Sequence, residues 1–422
     1  MKRLSLPSVL TPIHPRHWLG LMLLALLIAC GGDLETAGVG TGGTGLKEGN
    51  VTGFGSVYID GVRYDTSQAQ VQVDDGSGSL TAGQFKLGQR VRVLVNDAGQ
   101  VSTAEVLPAL LGPVERAPDS QGFLVVMGQW VRFVSLNLPY QSTLSSSTYL
   151  DGYTQFTDVS VGDVVEIHGS WVDADPTKGR VLVASRIEKR SITPARLLVT
   201  STVDSVNAAA RTFTLTTGDG RAVVGSAQSA EVSVGDWVKV WLDASQVPQW
   251  QPSLPLNASG WGVVGQLTNP ALVGSRLEIS GLPAQFNPAT NTVVVQGIPA
   301  VVPTDRLSSG TLQALQSGTF SRFVMQLDPL TEIWTVDVIT PREGDSLGRS
   351  ATLMISGAAD TMQNINLVRV SGVDVIFGNT TQPVVACQAI DPQAPVTLEI
   401  RGTPSGSQVH ADSVMCKLAQ PP

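Results

Sequence analysis

The residues that come closest to a catalytic pattern are Gly344-Asp345-Ser346-Leu347-Gly348, which have the Gly-x-Ser-x-Gly spacing of a nucleophile elbow. An elbow needs a strand before its serine, a helix after it and a base within reach. Residues 351–355 read instead as a strand, and no Asp-x-x-His follows. Ser346 is therefore read as part of a Gly/Ser/Asp linker, with hydrolysis as the alternative. Beyond residue 29 there are two histidines, His168 and His410, and no His-Glu-x-x-His. A transition-metal site built on imidazole would have to bring them together from distant parts of the chain. His168 falls at the end of a strand, on its outward side, and is expected in solvent. The carboxylates Asp74-Asp75-Gly76 and Asp173-Ala174-Asp175 hint at calcium loops, but both lack the later carboxylate that would complete an oxygen shell. Turns select Asp and Gly for backbone reasons alone. No catalytic residue, metal or cofactor is expected.

Trp237 and Trp241 are the remaining candidates. Four apart on a strand, they share one face about 13–14 Å apart. Outward indoles stack on sugar rings or bases, or they seal contacts between neighbouring units; contact is the favoured reading. The formal charge is −8. Without residues 1–29, which hold Lys2, Arg3 and Arg16 and no acid, the balance is three charges more negative. No basic-aromatic alternation and no phosphate-binding Gly-Lys loop are present, so a nucleic-acid partner is not expected.

The N-terminus carries an address. Lys2, Arg3, His14, Arg16 and His17 precede an apolar run at 18–29, too short to span a bilayer and of the length of a signal-peptide core. It ends Leu27-Ile28-Ala29-Cys30, which resembles the lipobox of bacterial lipoproteins. That resemblance implies removal of residues 1–29, lipidation of Cys30 and a membrane partner through the acyl chains. Gly31 follows, where an Asp would favour retention in the inner membrane, so the outer membrane is expected. Residues 31–50 hold eight glycines and few large apolar residues, and read as a flexible tether, with the folded part beginning near 46. The other cysteines, Cys387 and Cys416, form an even pair in an oxidising compartment and are expected to be disulfide-bonded.

What must position these residues is a repeat. Gly 43 and Pro 25, with 15% charged residues and short alternating runs, favour turn-rich β structure. The stretch at 57–65 reads as two short strands about Asp60-Gly61, a pair suited to a type I′ turn. Related hairpins turn at Met127-Gly128, near Gly218-Asp219-Gly220, at Gln296-Gly297 and at Ser371-Gly372. A glycine-led strand follows, as Leu87-Gly88-Gln89-Arg90-Val91-Arg92-Val93, Val161-Gly162-Asp163-Val164-Val165-Glu166-Ile167 and Val234-Gly235-Asp236-Trp237-Val238-Lys239-Val240. Alternation points Val91, Val93, Val165, Ile167, Val238 and Val240 inward. It points Arg90, Arg92, Val164, Glu166, Trp237 and Lys239 outward. A closing strand gives five or six strands per unit, the size of a small barrel.

The expected organisation is all-β: signal peptide at 1–29, tether at 30–45, then tandem OB-like barrels joined by short linkers. The repeats are placed at 46–112, 113–195, 196–256, 257–345 and 346–422. Residues 53–66, Gly-Phe-Gly-Ser-Val-Tyr-Ile-Asp-Gly-Val-Arg-Tyr-Asp-Thr, together with the closing Ala184-Ser185-Arg186-Ile187-Glu188, resemble a repeat of proteobacterial exported lipoproteins, the domain-of-unknown-function family five-six-six-six. The resemblance implies small OB-like units and carries no catalytic residue. The expectation is a non-enzymatic binding or scaffolding module of the cell envelope. A glycan-binding module is one alternative, and a hydrolase at Ser346 or between barrels is the other.

Overall fold

The alternating runs become strands, and four of the five expected turns have positive φ at both central residues; Asp219 and Gly220 of the fifth lie outside the described residues. Asp60 and Gly61 sit at φ 47° and 81°, Met127 and Gly128 at 51° and 71°, Gln296 and Gly297 at 52° and 84°, and Ser371 and Gly372 at 50° and 77°. Two consecutive positive φ values match the twist of the flanking strands. In the first hairpin, Val57–Ile59 pairs with Val62–Tyr64, and Ile59 faces Val62 across the turn. The computed structural model describes residues 45–54, 56–74, 80–133, 148–175, 178–190, 195–218, 222–226, 232–249, 256–264, 276–319, 321–328, 330–341, 353–364, 367–377 and 396–418.

In each repeat the strand pairing closes on itself. In repeat 1, Gly45–Phe54 pairs with Val57–Ile59, which pairs with Val62–Tyr64. The same stretch of chain continues as Gln70–Asp74, which lies parallel to Val101–Val106. Val101–Val106 pairs with Arg90–Val95, which returns to Gly45–Phe54. The order is thus first, second, third, fifth, fourth and back to first, with the third and fifth strands parallel. The other four repeats keep that order, their parallel pairs being Gln129–Arg132 on Gly179–Lys189, Ala222–Ser226 on Leu256–Val263, Ile298–Val301 on Trp334–Pro341, and Val373–Phe377 on Gln408–Leu418. Because Leu256–Val263 also pairs with Trp237–Asp243, it completes the third repeat rather than opening the fourth. In repeat 4 a helix, Ser309–Gln316, lies between the third and fourth strands, capped by the Ser308 hydroxyl accepting from the Thr311 N–H. The residues expected inside (Val91, Val93, Val165, Ile167, Val238 and Val240) are fully buried.

The all-β class holds; the picture of separate OB-like barrels on short linkers is corrected. The rings are fused, with ladders running from one to the next in the manner of a β-solenoid, and the strands join into networks of 18 and 11. Gly45–Phe54 lies parallel to Arg276–Gly281 of repeat 4, Leu46 opposite Leu277, and to Leu353–Asn364 of repeat 5, Gly53 opposite Met354. Repeats 2 and 3 meet at Leu111 and Leu198 and share one apolar core, and Leu87 of repeat 1 packs in the core of repeat 5. Repeat 5 also meets repeat 2, where the Leu150 N–H donates to the Gly406 carbonyl at 2.9 Å. The physical reason is that outward faces rich in apolar, aromatic and paired charged groups are covered rather than left in water. The tether reading of 31–50 is shortened on the same ground: Gly45–Phe54 is a strand, and Gly45–Asn50 is buried.

Ion pairs lie along the seams. Between repeats 1 and 4, Glu278 accepts from Lys47 Nζ at 2.8 Å and from Arg322 Nη2 at 2.6 Å. Between repeats 1 and 2, the buried Arg186 donates to the Leu87 carbonyl at 2.9 Å and pairs with Glu188 and Asp151. Lys86 reaches Glu188 at 2.6 Å. Burial pushes the Glu188 carboxyl up, but Arg186 and Lys86 outweigh it and hold it down at about 2.

Candidate binding cleft

The outward side chains of the fourth strands in repeats 1 and 3 meet at a cleft. Arg90–Val95 presents Arg90 and Arg92 there, and Trp237–Asp243 presents Trp237, Lys239 and Trp241. The sequence aligns Arg90 with Trp237 and Arg92 with Lys239, so one position of the repeat does the lining in both. Repeat 2 adds Gly169 and Trp171, and repeat 4 adds Gln296. Residues of four repeats thus line an open cleft of about 360 Å³. That volume suits a small ligand.

Bare backbone makes the room. Gly260 and Gly262 pair with Trp241 and Lys239, so they share the outward face with them. A Cβ added at Gly262 meets nothing within 4 Å, and one at Gly260 just reaches Trp241 at 4.0 Å. Trp261, between them, turns the other way: it packs on the core, edge-to-face with Phe213 at 5.1 Å, and its indole N–H donates to the Ser226 carbonyl at 2.7 Å.

The electrostatics are uneven. Glu48 accepts from Arg90 Nε at 3.0 Å and from Arg92 Nε and Nη2 at 3.1 and 2.9 Å. Two guanidiniums therefore share this carboxylate, and Glu105 stands 4.0 Å from Arg92 Nη1. Burial pushes the Glu48 carboxyl up, but Arg92 and Arg90 outweigh it and hold it below the ordinary range. Burial pushes Arg92 down, and Glu48 and Glu105 more than restore it. Among the described residues, Arg90 Nη1 and Gln296 Nε2 make no hydrogen bond, although both are buried in the wall. The lining holds three cations, Arg90, Arg92 and Lys239, against two carboxylates, Glu48 and Glu105.

Trp237 and Trp241 are both buried, at 6% and 8% exposure. Trp237 lies 5.6 Å from the Trp171 ring, under the Arg180 guanidinium at 4.4 Å, and close against Gly297 of repeat 4. Trp241 packs on Leu111 and Leu198 at the seam of repeats 2 and 3. Both thus make inter-repeat contacts while part of each ring borders the cleft.

The expectation that His168 is solvated is corrected: it is fully buried between repeats 1 and 2. The Arg90 backbone N–H meets its Nδ1 at 3.3 Å, and its Nε2 lies 2.9 Å from Glu166. The outward face to which alternation assigned it is covered by a neighbouring ring. His410 lies on the strand Gln408–Leu418, exposed. The described residues contain no group of three His, Cys, Asp or Glu side chains placed to hold a metal. Cys30, Ser346 and Cys387 lie outside the described residues, as does the side chain of Cys416, whose backbone pairs with Leu398.

Glu48, Arg90, Arg92, Gly260, Gly262 and Gln296 were not singled out from the sequence. The signal for the arginines was there in the alternation, which set them on the same outward face as Trp237 and Lys239. What the sequence lacked was the partner face, supplied by a ring more than a hundred residues away. Compared with known protein families and with curated proteins, the chain matches none.

Proposed function

We propose that this is a lipid-anchored protein of the bacterial cell envelope, held through Cys30 at the outer membrane, which binds a small ligand without chemically changing it. The observation that carries the reading is the cleft itself: residues of four repeats line it, among them Trp171, Trp237, Trp241, Arg92 and Lys239, with the exposed backbone of Gly262 on its edge. Binding is favoured over glycoside hydrolysis by the state of Glu48. Glycoside hydrolysis needs a carboxylic acid kept protonated beside a second carboxylate. Glu48 instead has both oxygens accepting from arginines and is held ionised.

Cys30→Ser tests the anchor: it moves the protein from the membrane to the soluble fraction, and an unmodified Cys30 on a membrane-bound mature chain contradicts the reading. Gly262→Trp tests the cleft, because the new side chain enters open space. Immobilised wild-type protein retains saccharide from a cell-envelope extract, and Gly262→Trp does not. Equal retention by both, or chemical conversion of the retained material, overturns the reading.

A further inference from the structure

We propose that His168 is a proton-operated switch in the wall of the cleft: on taking up one proton, its ring exchanges a hydrogen bond from the Arg90 N–H for one to the Leu107 carbonyl. The switch goes beyond ligand binding and does not depend on what occupies the cleft. The ring is fully buried at the seam of repeats 1 and 2, and its Nε2 lies 2.9 Å from a Glu166 oxygen. Burial pushes the Glu166 carboxyl up, but His168 and Arg190 outweigh it and hold it below the ordinary range. An ionised carboxylate only accepts, so in the neutral ring Nε2 carries the hydrogen and Nδ1 is a bare lone pair. Nδ1 lies 3.3 Å from the Arg90 nitrogen and 3.3 Å from the Leu107 oxygen. It cannot serve both. Bare, it accepts from Arg90; protonated, it donates to Leu107.

Those two groups belong to one ladder. Val91 stands opposite Val106, so Arg90 and Leu107 are the next pair, and the Leu107 N–H donates to the Arg90 carbonyl at 2.8 Å. A hydrogen-bonded antiparallel pair exchanges two such bonds. Here the His168 ring, from repeat 2, stands in the place of the second. Arg90, Leu107, Pro108, Ala109 and Gly169 all line the cleft. Ala109 is tied onward, its N–H to the Ile167 carbonyl at 2.9 Å and its carbonyl to the Thr200 hydroxyl at 2.8 Å. Protonation leaves the Arg90 N–H without its acceptor, and a buried N–H must find another, so the wall shifts where repeats 1, 2 and 3 meet.

Charged groups reach the ring from each side. Glu166 faces it on its own strand, Val164–Asp175, and the paired strand Gly179–Lys189 brings Arg186 opposite His168 and Glu188 opposite Glu166. Arg190 Nη2 stands 3.4 Å from Glu166, and repeat 1 brings Arg90, whose guanidinium is held by Glu48. Glu166 favours the charged ring; burial and the arginines oppose it. One hydrogen bond replaces another, so the exchange is read at the wall rather than in the unfolding midpoint.

The test is a titration of the mature protein from about pH 8 to about pH 5, the span over which histidine changes charge, read by proton–nitrogen NMR. Beyond residue 29 the chain has two histidines, and His410→Gln, at an exposed position, assigns their signals without touching the seam. At the upper end Nε2 of His168 is protonated and Nδ1 bare; on acidification Nδ1 gains a proton and the backbone amide signal of Arg90 moves with the same midpoint. His168→Asn offers the Arg90 N–H an acceptor that does not titrate, and abolishes that movement. A proton on Nδ1 with Nε2 bare at the upper end, a ring that keeps one protonation state throughout, an Arg90 amide that stays still while the ring titrates, or one that moves equally in His168→Asn each overturns the proposal.

Discussion

One glycine, repeated three times, separates the seams from the rings. Gly88, Gly162 and Gly235 precede the fourth strand in repeats 1, 2 and 3, at φ 75°, 91° and 92°. Alanine at each carries the same left-handed backbone cost, about 1–2 kcal/mol. At Gly162 and Gly235 the added Cβ meets nothing within 4 Å. At Gly88 it lands 2.4 Å from the Ser185 carbonyl oxygen and 3.1 Å from Arg186 Cβ, both in repeat 2. That main chain must retreat. Its retreat strains the bond from the Ser185 hydroxyl to the Gly88 carbonyl at 2.6 Å and the one from Arg186 to Leu87 at 2.9 Å. A charged hydrogen bond contributes about 1.5–3 kcal/mol, and overpacking costs about 1–3 kcal/mol. Gly88→Ala is therefore about 2–4 kcal/mol more damaging than Gly162→Ala or Gly235→Ala. Urea unfolding followed by tryptophan fluorescence measures the difference in midpoint at constant slope. Equal losses at all three glycines would refute the reasoning, because only the seam distinguishes them.

The buried carboxylates predict acid lability. Glu188, Glu48 and Glu278 are all held below the ordinary value of 4.5, so their stabilisation is complete above it and is lost as the pH falls toward about 2 for Glu188. The urea midpoint should hold above about pH 5 and fall between about pH 5 and about pH 2, and a flat profile would contradict the pairing. Val165→Asp places a carboxylate in a fully buried site and should abolish folding of the body, whereas Val164→Asp, at a half-buried position against the Leu111–Trp241 seam, should cost less; circular dichroism and solubility compare them. Cys387 and Cys416 are proposed as a disulfide closing a loop of roughly 30 residues, which stabilises by about 3–4 kcal/mol. Thiol labelling of the unfolded, unreduced protein should leave both unmodified, and labelling of both contradicts the bridge.

The sequence was legible where the cause is local. Asp60-Gly61 takes the turn its own residues select, and Val91, Val165 and Val238 are buried because alternation fixes a strand's two faces. It was illegible where the cause is distant. Alternation said that His168, Glu166, Arg90 and Trp237 point out of their rings, and they do; it could not say that another ring waits there. His168 is buried by residues some 60 to 80 positions away, Leu107 and Arg90. The parallel pairing of Gly45–Phe54 with Arg276–Gly281 joins the two ends of a long stretch of chain and leaves no periodic mark. The cleft was half legible: its aromatic pair stood out as Trp237 and Trp241, while its cations and bare backbone looked like ordinary strand residues.

The repeats form one fused body around the cleft, held by contacts between repeats that are not neighbours in sequence. A recognition site for a specific protease, inserted within 265–275, cuts the chain between repeats 3 and 4. After cleavage, size-exclusion chromatography in native buffer should show the two fragments eluting together at the intact position. The parallel ladders from Gly45–Phe54 to Arg276–Gly281 and Leu353–Asn364, and the Lys47–Glu278–Arg322 cluster, do not depend on that connection. Separation into two folded fragments without denaturant would contradict the account.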